Sequence, residues 1–187
     1  AEDMIGMLDN SISDYQVDPR DLKPYQYPST MELIQNDIKS VFLGSFIPWN
    51  VRDQVELIKN ELGWKEDKVE GIPPEYGYEK IECYMQGVRD YIKFLKRGFG
   101  RTTHLASIDI RNGKLSREKG LDLVKKFDGK RPHSLDWFLK LLGITEEKFN
   151  EIIKNHTVAP NKFPDTNKIE KTNVVIDDFD LLKKKYL

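Results

Sequence analysis

Cysteine, long apolar runs and net charge are all scarce in this sequence of 187 residues. Cys83 is the single cysteine, so no disulfide can form within the chain, which fits a reducing compartment and predicts a cytoplasmic location. No apolar run approaches the roughly 20 residues that a membrane-spanning helix needs. The formal net charge is -1, from 30 basic and 31 acidic residues, which argues against bulk binding of nucleic acid.

The start of the chain has neither a signal peptide nor an initiator methionine. Ala1-Glu2-Asp3 is acidic and lacks the basic and apolar regions of a secretory signal. The missing methionine favours a start inside a longer protein, and a processed or tagged chain is the alternative.

The sequence also lacks the familiar catalytic motifs. It has no G-x-x-x-x-G-K-[ST] loop, no G-x-G-x-x-G, no G-x-S-x-G and no H-E-x-x-H. His104, His133 and His156 do not have metal-ligand spacing to one another or to Cys83, so we expect no metal site. Without a visible base, Cys83 is predicted to be a core thiol rather than a nucleophile. No complete catalytic site is therefore predicted in this chain.

What the sequence does contain is a series of helical patterns separated by caps and glycine stops. Hydrophobic residues are 39% and charged residues 33% of the chain, enough apolar material for a core. We predict a mainly α fold with one or two short strands, at Val41 to Phe46 and Val174 to Ile176. Residues 1–158 are predicted to form the domain and residues 159–187 a tail. The predicted helices begin at or near Thr30, Val51, Tyr78, Thr103, Ser116, Ser134 and Thr145. Ser29 and Glu32 have the S-x-x-E spacing of a capping box, Ser116 is expected to open its helix, and Ser134 and Thr145 to cap theirs.

The longest predicted helix runs from Tyr78 to Arg97. Its apolar residues recur at helical spacing, which predicts that Met85, Val88 and Ile92 lie on a buried face. The Gly98-Phe99-Gly100 stretch should end it.

The run from Gly98 to Arg117 is the most informative for function. Thr102 lies near the start of the next predicted helix, where free backbone N–H groups hold anions. Arg101 adds a guanidinium suited to phosphate or carboxylate, and His104 and Asp109 follow on the same helix. These residues predict an anion site, with Arg101, Thr102 and Arg111 on one concave, electropositive surface. The alternative is that the glycines only make a tight turn and that Asp109 only pairs with the arginines.

A longer stretch carries a family resemblance. The run GFGRTTHLASIDIRNGKLSREKGLDLVKKFDGKRP, residues 98–132, resembles the C-terminal part of the N-acetyl sugar amidotransferases. The resemblance covers roughly residues 22–156 and includes VFLGSFIPW, Gly63-Trp64, IECYMQGVRDYIKF and SLDWFLKLLGITEEKFNEII. One departure is Thr103-His104, which stands where the family is expected to have an acidic residue before its histidine, so any role of that acid does not carry over.

The resemblance implies a PP-loop ATPase of lipopolysaccharide or surface-glycan biosynthesis, of which this chain is the helical C-terminal portion. Such enzymes use ATP with magnesium, and ammonia from a glutaminase partner, to turn the acetamido group of a nucleotide-linked sugar into an acetamidino group. The family's S-G-G-x-D-S loop and cysteine-rich segment are missing here, so this chain alone is expected to be inactive and to bind no cofactor. A non-catalytic helical interaction module is the alternative. The residues expected to bind substrate are Arg101, Thr102, His104, Asp109 and Arg111.

Overall fold

The first helix is set by a local cap. In the computed structural model, which describes residue 20 and residues 23–174, Ser29 precedes helix α1 (Thr30–Gln35). The Glu32 backbone N–H donates to Ser29 Oγ at 3.2 Å, and the Ser29 N–H donates to Glu32 Oε2 at 2.8 Å. This reciprocal pair is the capping box that the S-x-x-E spacing predicts, and the predicted cap is confirmed.

The strand predicted at Val41 to Phe46 does not form. A 3-10 turn, Leu43–Ser45, takes its place, and the N–H groups of Ser45 and Phe46 donate to carbonyls three residues earlier. A strand needs a neighbour to satisfy its backbone groups, and no strand forms anywhere in residues 23–174. This prediction was wrong because the apolar run has no strand beside it.

Residues 23–49 also leave many large apolar side chains in solvent. The chain forms two compact units that divide between Val51 and Arg52, and the first unit has no buried side chain among its described residues. Such exposure is unusual for a water-facing surface. The exposed side chains are Tyr25, Tyr27, Met31, Ile34, Ile38, Val41, Phe42, Leu43, Phe46, Ile47 and Trp49.

Six further helices follow in the order predicted, which confirms the mainly α fold. Gly63, Gly113 and Gly143 adopt φ values of 65°, 68° and 63° just past three of these helices, the left-handed conformation expected of helix stops. No described helix is long and apolar enough to cross a membrane. The six are α2 (Val51–Leu62), α3 (Gln86–Arg97), α4 (Arg101–Arg111), α5 (Arg117–Phe127), α6 (Ser134–Leu142) and α7 (Glu146–Asn155).

Two apolar clusters hold this second unit together. Helices α3, α6 and α7 share one cluster, and the loop before α3 packs on α4 in the other. Burial of this apolar surface is the main stabilising contribution. The first cluster contains Val88, Tyr91, Leu95, Leu135, Leu139, Phe149 and Ile153, and the second contains Val69, Ile72, Tyr76 and Leu105.

The long helix starts eight residues later than predicted. Residues 78–85 form turns, and Lys80 has a φ of 59°, a left-handed conformation that a continuing α-helix excludes. Cys83 therefore precedes α3 rather than lying on it. The predicted burial of Val88 is confirmed, whereas Met85 and Ile92 are only partly buried against the first cluster.

Helix α6 has a different N-cap from the predicted Ser134. Its N-cap is His133, and Ser134 is the first helical residue. The Ser134 hydroxyl donates to the carboxylate of Glu70 instead of capping the helix. The predicted caps Ser116 and Thr145 are confirmed, since their hydroxyls accept from the N–H groups of Lys119 and Lys148.

The described residues after α7 lie against the helices of the second unit. Asn161 Nδ2 donates to the Leu95 carbonyl at 3.0 Å, and Phe163 and Ile169 pack on the first cluster. An isolated parallel bridge joins Arg131 and Lys171. Val175 and Ile176 of the second predicted strand lie outside the described residues, and the predicted tail boundary at 158/159 stays a prediction.

Candidate functional site

The N-terminus of α4, predicted to bind an anion, holds a carboxylate of the protein itself. Asp128, just past the end of α5, accepts hydrogen bonds from the backbone N–H groups of Gly100 and Thr102 at 2.9 Å and of Thr103 at 3.2 Å. The Thr103 hydroxyl donates to it at 2.5 Å. A helix N-terminus favours negative charge, and here Asp128 supplies that charge from 25 to 28 residues away in sequence.

Gly100 is required at this point by the close approach of that carboxylate. A Cβ atom at position 100 would lie 2.5 Å from Asp128 Oδ1 and 2.8 Å from its Cγ. No side chain fits there without displacing the carboxylate. This glycine of the predicted anion-binding run therefore accommodates an internal acid.

Arg101 and Thr102 are both engaged within the fold. The Arg101 guanidinium lies 3.2 Å from Asp90 and 3.8 Å from Glu79. Thr102 is 0% exposed, and its hydroxyl donates to the carbonyl of Gly71 at 3.3 Å. Thr102 therefore cannot line a surface open to solvent.

Asp109 pairs with an arginine that the sequence interpretation missed. Arg52 on α2 donates to both of its carboxylate oxygens, at 3.2 and 2.5 Å, and Tyr76 Oη donates to Oδ2 at 2.7 Å. The Arg52 guanidinium also lies 5.0 Å from the centre of the Tyr76 ring. Such a bidentate, ring-stacked arginine is favoured in partly buried ion pairs. The alternative interpretation paired Asp109 with the arginines of residues 98–117, whereas its partner is Arg52.

This cluster changes the pKa values of its members. Burial alone would raise the pKa of Asp109, but the hydrogen bonds from Arg52 and Tyr76 outweigh it and lower that pKa below the usual value of 3.8. Burial and the hydrogen bond to Asp109 raise the pKa of Tyr76, so its hydroxyl keeps its proton at neutral pH.

The lowered pKa of Asp109 predicts a loss of stability in acid. A carboxyl whose folded pKa is depressed stabilises the fold above its unfolded pKa, and this contribution disappears as the pH falls through the folded value. We expect Asp109→Asn to lower the free energy of unfolding by about 2 kcal/mol at pH 7. As the pH falls below about 4, urea titrations should show the stability of the wild type falling more steeply than that of Asp109→Asn. Parallel curves would contradict the assignment.

His104 and Arg111 are the two predicted site residues that face solvent. Arg111 lies ten residues beyond Arg101, about 15 Å along α4. With Thr102 buried and Arg101 held by Asp90 and Glu79, the residues Arg101, Thr102 and Arg111 do not form the predicted concave surface. The predicted arrangement is corrected in this respect, and a role for any of them in substrate binding stays a prediction.

A cleft of about 650 Å³ lies elsewhere in the second unit. Its apolar floor includes Val69, Ile72, Pro73 and Phe127, all buried. Ligand sites commonly have this size, with an apolar lining and a few polar groups. No pattern in the sequence indicated the cleft, because its walls come from three separate segments. The remaining lining residues are Glu66, Asp67, Lys68, Pro74, Gly77, Lys126, Asn173 and Val174.

Among the described residues, no group of three or more His, Cys, Asp or Glu side chains could hold a metal ion. Two small clefts, of about 10 and 20 Å³, are too small for an organic ligand.

Comparison with known proteins identifies a family. A family model described as "LPS biosynthesis protein WbpG-like, C-terminal domain" matches residues 70–175, more than half of the chain. No curated protein matches the sequence. The matched range contains α3 to α7, Asp128 and most of the cleft lining.

Proposed function

We propose that this chain, which belongs to the WbpG-like C-terminal domain family of lipopolysaccharide biosynthesis proteins, forms the C-terminal part of an ATP-dependent amidotransferase. Its substrate would be a nucleotide-linked N-acetyl sugar, and its product the acetamidino sugar. The observation that carries the proposal is the family match, which includes the whole run of residues 98–132 with its resemblance to N-acetyl sugar amidotransferases.

The proposed reaction has two steps. The acetamido oxygen attacks the α-phosphate of ATP, pyrophosphate leaves, and the amide becomes an O-adenylated imidate. Ammonia then adds to the imidate carbon and AMP departs with the original oxygen, leaving an amidine. ATP with magnesium would be the cofactor of the complete enzyme, and a glutaminase partner would supply ammonia in the cytoplasm.

Two features of the chain support a role inside a larger enzyme. The N-terminus of α4 is filled by Asp128, so the phosphates of ATP would need a cradle from another domain, which we propose is a PP-loop half. Residues 23–49 expose large apolar side chains, as surfaces that meet another protein domain do.

Of the five residues predicted to bind substrate, we propose that two approach it and that three position the helix. His104 and Arg111 remain accessible on α4 and are the ones proposed to approach substrate. Arg101, Thr102 and Asp109 are proposed to position the helix, since their polar groups are bound to Asp90, Gly71 and Arg52.

A helical interaction module without catalytic residues is the second candidate function. It is favoured by the ion pairs of Arg101 with Asp90 and of Asp109 with Arg52, which leave those groups no catalytic task. Under this hypothesis, substitution of His104 or Arg111 would not affect turnover.

The test uses the complete protein that contains this chain, with ATP, ammonium chloride and UDP-N-acetylglucosamine. Ammonium salt replaces the glutaminase, and mass spectrometry should detect replacement of the acetamido oxygen by NH together with AMP. The 187-residue chain alone should not turn over ATP, because it lacks a phosphate cradle. The proposal is contradicted if no UDP-N-acetyl sugar that is tried yields the amidine. It is also contradicted if the purified chain turns over ATP.

A further inference from the structure

The cleft between the loop of residues 66–77 and the end of α5 has two chemically different parts. Its floor is apolar and includes the buried side chains of Ile72 and Phe127. Its rim has exposed polar side chains of both signs, among them Asp67, Lys126 and Asn173. A ligand that combines an apolar face with polar groups therefore suits it.

A nucleotide-linked sugar combines these groups. The C–H face of a sugar ring and the methyl of an acetamido group fit an apolar floor. Sugar hydroxyls hydrogen-bond to carboxylate and amide side chains such as Asp67 and Asn173. The diphosphate needs cations, and Lys126 at the rim provides an ammonium group.

The cleft is also available for an anionic ligand, whereas the N-terminus of α4 is not. The helix N-terminus that could have held the diphosphate already binds Asp128. Phe127, the neighbour of that aspartate, lies in the cleft floor. Two consecutive residues thus have different roles: Asp128 occupies the N-terminus of α4, and Phe127 lines the cleft.

We infer that this cleft is the binding site for the nucleotide-linked sugar, a location that rests on the proposed function. Phe127, Ile72 and Val69 contact the sugar and its acetamido methyl, while Lys126 and Asn173 bind the polar groups.

The first test is NMR on the 187-residue chain with labelled valine and isoleucine methyl groups. Titration with UDP-N-acetylglucosamine should shift the signals of Val69 and Ile72, and Lys126→Ala with Asn173→Ala should raise the dissociation constant about tenfold. Lys119→Ala, an exposed lysine on the same helix as Lys126, should leave it unchanged. UMP and N-acetylglucosamine, titrated separately, show which half of the ligand provides the affinity.

Methyl signals that move at Ile108 and Ile110, on α4 with His104 and Arg111, while those of Val69 and Ile72 stay constant would overturn the location, as would no shift at millimolar ligand. In the complete enzyme, the double variant should raise KM for the sugar about tenfold with kcat nearly unchanged. Turnover with unchanged KM would refute the cleft and keep the proposed function. Binding in the cleft with no amidine product would refute the reaction and keep the site.

Discussion

Replacing Asp128 by alanine should lower the free energy of unfolding by about 3 kcal/mol, a fall in melting temperature of about 6–12 °C. The carboxylate accepts three backbone N–H groups and one hydroxyl at the start of α4. Alanine would leave those donors without their acceptor and remove a negative charge from the positive end of the helix. Urea denaturation followed by circular dichroism measures the change.

The matched control is Asp122→Ala, an exposed carboxylate on α5. It should change stability by less than about 0.5 kcal/mol, as surface substitutions usually do. Asp128→Asn should fall between the two, because its amide oxygen accepts hydrogen bonds without the charge. If Asp128→Ala and Asp122→Ala unfold at the same urea concentration, Asp128 does not stabilise α4.

Glu70→Ala should be the most destabilising of the substitutions considered, at about 4 kcal/mol. Glu70 is 2% exposed, and its carboxylate accepts from the backbone of His133 at 2.8 Å and from the backbone and hydroxyl of Ser134. Those buried donors would lose their acceptor, and water has little access to replace it. A thermal melt of the purified variant, beside wild type, measures the loss.

The space around Glu70 supports the same expectation. A Cβ atom on Gly87 would lie 2.8 Å from Glu70 Oε2 and 3.1 Å from Pro132 Cβ, so α3 approaches the carboxylate closely. Glu70→Gln keeps one oxygen acceptor and should lose about half as much stability as alanine. Glu75→Ala, an exposed acid in the same loop, is the control and should have no measurable effect. Equal melting of Glu70→Ala and Glu75→Ala would contradict a stabilising role for Glu70.

Structural features that depend on residues close together in the sequence were predicted correctly. Ser29, Ser116 and Thr145 cap their helices through a hydroxyl and a backbone N–H three residues later. The apolar spacing of Val88 predicted its burial, and the family resemblance at residues 98–132 lies within the range that the family model matches. Each of these features depends on a few residues that are close together in the sequence, and the tertiary structure left them unchanged.

The candidate site was predicted less well, because its contacts join distant parts of the chain. Arg52 meets Asp109 across 57 positions, and Glu70 meets Ser134 across 64. Periodicity places each residue on a helix face or in a loop but does not indicate which opposite charge it will meet. Glycine and threonine at a helix start are equally suited to a bound phosphate and to an internal carboxylate.

The order of residues along the chain was enough to establish the helical class, most helix boundaries and the family, since these depend on local hydrogen bonding and on runs of similar residues. Which groups occupy the polar sites depended instead on the packing of distant segments. That packing placed Asp128 at the start of α4 and Arg52 on Asp109, and it assembled a cleft from three separate segments. A charge is satisfied by whichever partner lies within hydrogen-bond distance in the folded protein, and the whole fold sets that partner.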